Sequence, residues 1–521
     1  MCGIYLASSK QSQLISRFTS FSKLKNRGPD YSCFKFTQSF IEQQYLVYGY
    51  HRLAINDLSQ AGNQPFYYND GSFLICNGEI FNSDELKREY CKNINFNSES
   101  DCEVLLHLYK KYGLEFINKL NGEFSIIIYD NLLNKVVIAR DMVGVKPLYY
   151  SYNKLKKSFE FSSELKAIQD FDGKHFPPGC IAELNPNMEL TIKKYYDCHE
   201  ISKNKIDDSY NNLSDALRKS LETSVKRRLI SDVPIGCFLS GGLDSSAIAA
   251  IANSLSDKPL STFTLRIEGL HNEDVIYANE VAKHINSDHH EIVTTLEEIY
   301  LLIDEVIYIA ETYNLEMVPN LILIYLVAKY VAENTEVKVL LDGTGPDEML
   351  GAYWFFKDAP SMVDFEIETV KQLSEMHRTE LLGDRVISHF GLESRYPYLD
   401  CSVRNLLLQL PSSYKFYKND VTEKHILRQA VSSYLPDSVV NRKKMGMTHG
   451  AGINFENIFD NEIKRRIGER GDNDRLSNER IVDTTSYYDM IFNKSFSNSK
   501  NVECKVTASN WRKDDPLAIW R

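Results

Sequence analysis

Apolar residues along this chain follow two rules, and the rule changes near residue 200. Up to about residue 195, short β-type runs alternate with turn residues: Phe73-Leu74-Ile75-Cys76, Phe124 to Tyr129, Val136 to Ala139 and Ile181-Ala182-Glu183-Leu184. Helical spacing is scarcer there, and clearest from Asp101 to Tyr112, where Val104, Leu105, Leu108 and Tyr109 share a face. A polar stretch, Asp197 to Asn212, reads as a linker. Beyond Leu213, long helical periods alternate with compact apolar strands. Val233 to Leu239 runs into Ser240-Gly241-Gly242 and then a helical pattern through Ile251; Val337 to Leu341 runs into Asp342-Gly343-Thr344-Gly345. Strand, glycine-rich loop, helix, repeated, predicts a parallel α/β sheet with ligands beyond the carboxyl ends of its strands. The expectation is a two-domain chain, α+β then α/β: residues 1–196, a linker at 197–212, and residues 213–521.

Length and composition narrow this reading. At 521 residues the chain exceeds one ordinary core. A formal charge of -11 disfavours nucleic acid or an anionic membrane surface as a partner. No apolar run approaches the roughly 20 residues of a bilayer span; the greasiest, Leu321 to Ala328 after Pro319-Asn320, predicts a buried helix. The amino terminus has no signal-peptide pattern. Ten cysteines without a C-x-x-C pair fit reduced thiols and a cytoplasmic location. The charged segment Lys464 to Arg480 is expected to be a solvated helix or loop, and His289-His290-Glu291 a packed strand, because adjacent strand residues point to opposite faces and cannot share one ion.

The first candidate chemistry lies at the start. Cys2 precedes Gly3 and a strand-like Ile4-Tyr5-Leu6. Removal of Met1 before so small a residue leaves a thiol beside a free α-amine that can act as its base. Position 2 can also be cysteine by chance, so the surroundings decide. They include Arg27-Gly28-Pro29-Asp30, His51-Arg52-Leu53-Ala54, Asn77-Gly78-Glu79-Ile80-Phe81-Asn82 at a strand end, and Ser100-Asp101 opening a helix. A cysteine that attacks the side-chain amide of glutamine needs a grip on the α-carboxylate, for which Arg52 suits. It needs a carboxylate for the α-ammonium, for which Asp101 suits. It also needs oxyanion donors, which an Asn77-Gly78 turn can supply through the Asn77 side chain and the Gly78 amide. With these motifs the first half resembles a class II glutamine amidotransferase domain. That resemblance implies an αββα amino-terminal-nucleophile hydrolase sandwich, with functional positions at Cys2, Arg52, Asn77, Gly78, Glu79 and Asp101. Asn26 departs from the family's usual histidine before Arg-Gly-Pro-Asp.

The second site is Ser240-Gly241-Gly242-Leu243-Asp244-Ser245-Ser246, between a strand and a helix. Glycines admit a phosphate close to the backbone, serines add donors, and a helix amino terminus favours the anion. The string is similar to the pyrophosphate loop of the ATP pyrophosphatase group. Its partner is Gly343 to Glu348, which places Asp347 opposite Asp244, a carboxylate pair suited to Mg²⁺ on phosphate oxygens. Adenine is expected near Leu239 and Leu265. The resemblance adds Lys444 as the charge facing the pyrophosphate and the acyl-transfer intermediate. Both halves in this order resemble the glutamine-hydrolysing asparagine synthetase family over nearly the whole chain. Supporting strings are Arg140-Asp141 with Gly144, Pro147 to Tyr150, Ser231-Asp232-Val233-Pro234, Glu393 to Asp400, Glu423 to Arg428 and the end from Trp511 to Trp520. The family implies that ATP adenylates an acceptor carboxylate, that ammonia crosses an internal tunnel, and that an amide and AMP leave. Glutamine, ATP and an acceptor acid are the expected substrates, with a homodimer left open.

Departures from the family cluster on the acceptor. Asp342-Gly343-Thr344-Gly345-Pro346-Asp347-Glu348 stands where the family usually has Ser-Gly-Glu-Gly-Ser-Asp-Glu, so Thr344 replaces a glutamate and Asp342 a serine. Pro319-Asn320-Leu321 replaces Arg-Ala-Ser, and an acidic and a basic acceptor contact fall at Thr379 and Leu382. An aspartate acceptor needs charge partners in a desolvated pocket, so the acceptor is either aspartate or another carboxylic acid. A lactam-forming relative and a nucleotide-binding regulator with a decayed synthetase site are the alternatives. Intact Cys2, Arg52 and Asp101 weigh against the first, and Asp244, Asp347 and Lys444 against the second.

Overall fold

The computed structural model describes residues 1–169, 172–417, 422–452, 461–466 and 483–496. The terminal Trp511–Trp520 string and most of Lys464–Arg480 fall outside them. Twelve strands form the first half: β1 (Gly3–Ser9), β2 (Tyr31–Gln38), β3 (Tyr45–Arg52), β4 (Phe66–Tyr67), β5 (Phe73–Ile80), β6 (Gly122–Asp130), β7 (Lys135–Arg140), β8 (Tyr149–Asn153), β9 (Ser158–Ser162), β10 (Lys174–His175), β11 (Cys180–Leu184) and β12 (Leu190–Lys194). They make two six-stranded sheets, in the orders β10-β8-β9-β1-β3-β2 and β12-β11-β7-β6-β5-β4. Their pairings are antiparallel. Period-two alternation makes the inner faces apolar: Ile4, Leu6, Tyr48 and Tyr50 of one sheet meet Phe73, Ile75, Ile127 and Ile138 of the other. Helix α1 (Leu14–Ser22) covers the outer face of the first sheet through Phe21 against Tyr5 and Ala7. Helices α2 (Ser83–Tyr90) and α3 (Val104–Tyr112) cover the second, with Leu86, Leu105 and Leu108 on Leu74, Ile126 and Val137.

Two local expectations change. Asn77-Gly78 is not a turn; both residues lie inside β5 and pair with Ser125 and Phe124. Gly78 is required there by space, since a Cβ would stand 2.1 Å from the Glu123 carbonyl oxygen. The helix expected from Asp101 starts at Val104 instead, leaving Ser100 to Glu103 as a turn that aims Asp101 at β5. The polar stretch 197–212 carries a short helix, α4 (Cys198–Lys203), before α5 (Tyr210–Arg228).

The second half is built on strands β13 (Ile235–Phe238), β14 (Ser261–Ile267), β15 (Asp288–Thr294), β16 (Val339–Leu341) and β17 (Glu393–Arg395), all parallel, in the order β15-β14-β13-β16-β17. Helices α5, α6 (Leu243–Ser254) and α7 (Glu273–Ile285) cover one face, packing Leu217, Leu221, Ile248 and Ala278 with Cys237, Leu239 and Leu341. The helix Met317–Asn334 covers the other with Val327, Ala328 and Val331 on Phe263 and Leu340. It contains the predicted Leu321–Ala328 segment; Pro319 falls in its first turn, where no intrahelical donor is lost. His289 and His290 bond separately, to Thr262 and to Asp288 and Tyr330. Among the described residues no helix is long and apolar enough to cross a membrane, and the nine cysteines are all free thiols.

A buried ionic seam joins the halves. Arg27 bonds Glu164 at 2.8 Å, Asp384 at 3.0 Å, Ser388 at 2.8 Å and the Cys2 carbonyl at 3.0 Å. Arg228 joins Glu123 and Asp400, and Lys146 joins Asp384 and the Ser394 carbonyl. The string Glu393 to Asp400 therefore lies on the seam, while Arg140 and Asp141 brace the 144–146 turn that carries Lys146 to it. Despite burial, Lys166 and Arg27 hold the Glu164 carboxyl down at about 2, and Arg395 with the terminal amine and Lys146 holds Glu393 at about 2, against an ordinary 4.5. The stability they add is complete above pH 4.5 and is lost as pH falls towards 2. We expect the melting temperature to drop across that window, and Glu164→Gln to flatten the drop. An unchanged profile in that variant would show that the seam carries no such linkage.

Candidate active site

Cys2 immediately precedes strand β1 and is buried between the sheets, 8% exposed. Its backbone N–H donates to Asn77 Oδ1 at 2.9 Å, its thiol lies 2.9 Å from the Tyr50 hydroxyl, and the Leu53 carbonyl is 3.9 Å from Sγ. Asn77 Nδ2 is buried and has no hydrogen-bond partner among the described residues. A fully buried amide donor left unpaired beside a thiol is costly unless a ligand oxygen completes it. Burial pushes the Cys2 thiol up, against the pull of the terminal amine and Tyr50. Asp101 accepts from the Ile80 N–H at 2.6 Å, which fixes it beside β5; burial raises its carboxyl.

Arg52 is placed differently from the sequence expectation. Its guanidinium binds the Ser59 carbonyl at 2.7 Å, Asn63 Oδ1 at 2.8 Å and the carbonyls of Asn56 and Asp57, so it organises the loop 56–63. Asn56 of this loop donates to Glu79 at 2.5 Å. The loop is tied to the second half by the Asp57 N–H to Asp232 bond of 2.8 Å, which explains the Ser231-Asp232-Val233-Pro234 string. Met1 packs on Leu53, Ile55 and Val339, with its amine 3.4 Å from Glu393. It thus fills an apolar space between Cys2 and strand β16.

The second site gathers at the carboxyl ends of the adjacent strands β13 and β16. Gly241 adopts φ +72°, and a Cβ there would stand 2.4 Å from the Ala278 N–H nitrogen, so glycine alone fits. Ser240 and Ser245 hydroxyls meet at 2.9 Å, shaping the loop before α6, while the buried Ser246 hydroxyl has no partner among the described residues. A Cβ on Gly343 would lie 2.7 Å from Ser245 N, which brings the two glycine-rich loops together. Leu239 is buried at the end of β13, and Leu265 lies partly buried on β14.

Asp244 and Asp347 do face each other, and sequence reasoning missed what lies between them. Lys424, 2% exposed at its side chain, bridges both carboxylates at 2.5 Å each. Lys444 reaches Asp347 at 2.6 Å. Burial opposes it, yet Lys424 and Lys444 hold Asp347 well below the usual carboxylate range, while burial and Asp347 push Asp244 up. A cation held between two carboxylates marks where a divalent ion's charge would be welcome. The signal for Lys424 lay in the Glu423 to Arg428 string, which was noted without a role.

Thr344 donates to Asp342 from both its N–H and its hydroxyl, at 2.9 and 2.7 Å. Leu382 is buried among apolar side chains. Next to Thr379 stands an unforeseen carboxyl, Glu380: Tyr353 Oη lies 3.4 Å from it and 2.5 Å from Glu348. Burial and neighbouring carboxylates push Glu348 up to about 7 and Glu380 to about 8.

Residues 1–186 match the family described as a glutamine amidotransferase domain, and residues 216–377 and 362–512 match asparagine synthase. The chain is 32% identical over 539 aligned residues to a probable glutamine-hydrolysing asparagine synthetase of Acanthamoeba polyphaga mimivirus, covering 96% of each. It is 32% identical to asparagine synthetase 2 of Oryza sativa subsp. japonica, over 95% of this chain and 86% of that one. With asparagine synthetase B of Escherichia coli (strain K12) the identity is again 32%, over 86% and 81%.

Proposed function

The chain belongs to the glutamine-hydrolysing asparagine synthetase family, and from that premise we propose how its residues divide a glutamine-dependent amide synthesis. The carrying observation is that Cys2 with the unpaired Asn77 amide sits in the first half and the lysine-bridged Asp244–Asp347 pair in the second, the two halves being joined by one buried ionic seam. Residues 1–196 act as an amino-terminal-nucleophile glutaminase in an αββα sandwich, residues 213–521 as an ATP-dependent synthetase, and 197–212 as the connection.

After loss of Met1, the Cys2 α-amine takes the thiol proton, and Sγ attacks the glutamine amide carbon. Asn77 Nδ2 and the Gly78 N–H stabilise the oxyanion. Asp101 and Glu79 hold the α-ammonium, and Arg52 acts through the loop 56–63 that it organises beside them. The C–N bond breaks, ammonia leaves, and water releases glutamate from the thioester. Ammonia then passes inside the protein to the second site, as the family resemblance implies.

At the ends of β13 and β16, the acceptor carboxylate attacks the ATP α-phosphorus, and pyrophosphate leaves against Ser240, Gly241, Gly242, Ser245, Ser246, Lys424 and Lys444. Leu239, Leu265 and Gly343 border the nucleotide. Asp244 and Asp347 fit Mg²⁺ through their paired carboxylates, and the ion supplies charge to balance the phosphates. Ammonia then attacks the acyl carbon; a C–N bond forms, the bond to AMP breaks, and the amine gives up a proton. The intact Cys2 site disfavours a lactam-forming role, since an intramolecular amine needs no ammonia.

The processing step is testable. Intact-mass measurement should show a chain lacking Met1, and a form with an uncleavable amino-terminal extension should lose glutaminase activity while still using added ammonium. An extended form that still hydrolyses glutamine at the native rate would refute the nucleophile assignment.

A further inference from the structure

The acceptor side of the synthetase site has an imbalance of charge that its neighbours do not cancel. Glu348, 2% exposed, and Glu380 share one Tyr353 hydroxyl, at 2.5 and 3.4 Å. A hydroxyl carries one proton and can donate to only one of them at a time. Glu348 Oε2 is buried and has no hydrogen-bond partner among the described residues. The other charges that bear most on Glu380 are Asp347, Asp342 and Lys444, and Lys444 is already spent on Asp347. The cations of the same segments point elsewhere. Arg378 lies with Arg140 and Arg385 around His175 and His377, and Arg385 bonds the Ala310 carbonyl at 2.8 Å. The position where the resemblance puts a basic acceptor contact holds Leu382, and Pro319 stands where the family commonly has arginine; both are buried.

Two crowded carboxylates with an unfilled acceptor atom, and among the described residues no guanidinium bonded to either, select against a second carboxylate on the ligand and for a positive charge. We propose that Glu380 and Glu348, joined through Tyr353, bind a positively charged nitrogen of the acceptor, which makes the acceptor an aminocarboxylic acid with a single carboxylate and not a dicarboxylic acid such as aspartate. This rests on the synthetase reading above. In it Glu380 is a specificity residue: it holds the amino group while the acid's one carboxylate meets ATP. Sequence comparison came within one residue of it, at Thr379.

ATP–pyrophosphate exchange at fixed Mg²⁺ tests the proposal with matched acids: amino monocarboxylates of varied chain length, their N-acetyl forms, aspartate and glutamate. The expected result is exchange with at least one amino monocarboxylate about 10-fold or more above its N-acetyl form and above aspartate. Equal or better exchange with aspartate, or indifference to N-acetylation, overturns it. No exchange with any acid sinks the synthetase reading itself and this inference with it, whereas exchange confined to other acids sinks only the inference. Glu380→Gln should raise KM for the accepted acid about 10-fold or more, leaving KM for ATP and glutaminase turnover unchanged; the latter shows that the chain is folded. Glu380→Asp should lose less. If Glu380→Gln instead shifts the Mg²⁺ midpoint, or the KM for ammonium alone, Glu380 serves the metal or the ammonia and the proposal is wrong.

Discussion

Replacing Cys2 with alanine should lower glutamine-dependent turnover by roughly 1,000-fold or more, because no other group can form the thioester. Turnover with added ammonium should survive. The separation follows from geometry: Cys2 bonds to Asn77, Tyr50 and Leu53, all of the first half, while the phosphate loops lie across the seam. Its carbonyl bond to Arg27 is a main-chain contact that alanine keeps. Asn77→Ala offers a milder companion, since it removes the unpaired amide donor and leaves the thiol, and a loss of about 100-fold is expected. Glutamate release and product formation, measured in parallel with glutamine and with ammonium, check both. If the alanine variant kept glutamine-dependent turnover, some other nucleophile would have to be found.

Asp244→Ala should produce the opposite pattern. AMP formation and pyrophosphate exchange are expected to fall by about 1,000-fold, as removal of a transition-state charge partner commonly does in a dry site, while Cys2 continues to hydrolyse glutamine. Asp244 and Asp347 are held together through Lys424, so the loss also frees a buried ammonium to lean on Asp347 alone. Calorimetric titration with Mn²⁺ and a non-hydrolysable ATP analogue should show weakened binding in the variant. Full exchange activity in Asp244→Ala would remove the aspartate pair from the reaction.

Much of this was legible because glycine and charge patterns answer to local geometry. Gly241 takes a φ of +72° in a strand-to-helix turn, and Asp244 opens the helix after it, both readable from spacing. The strands of the first half were visible as short apolar runs. What escaped was long-range. Asn77-Gly78 reads as a turn by propensity, yet pairing with β6 keeps it extended, and Gly78 is demanded by the carbonyl of Glu123, a neighbour remote in sequence. Nothing local marks Arg27 for burial; it is 1% exposed because Glu164 and Asp384 come from segments far along the chain. Lys424 and Glu380 lie in segments whose local pattern is ordinary, and only folding sets them against Asp244 and Glu348. Arg52 was matched to a substrate group, whereas the fold gives its donors to the loop that frames the pocket.

The central claim is that nitrogen released at Cys2 is consumed across the seam without leaving the protein. With an acid that supports pyrophosphate exchange, turnover should be run on glutamine labelled with ¹⁵N at its amide, in excess unlabelled ammonium. Product made at saturating glutamine should carry the glutamine label nearly undiluted. Product nitrogen drawn from the bulk ammonium pool, with glutamate released independently of AMP, would contradict it.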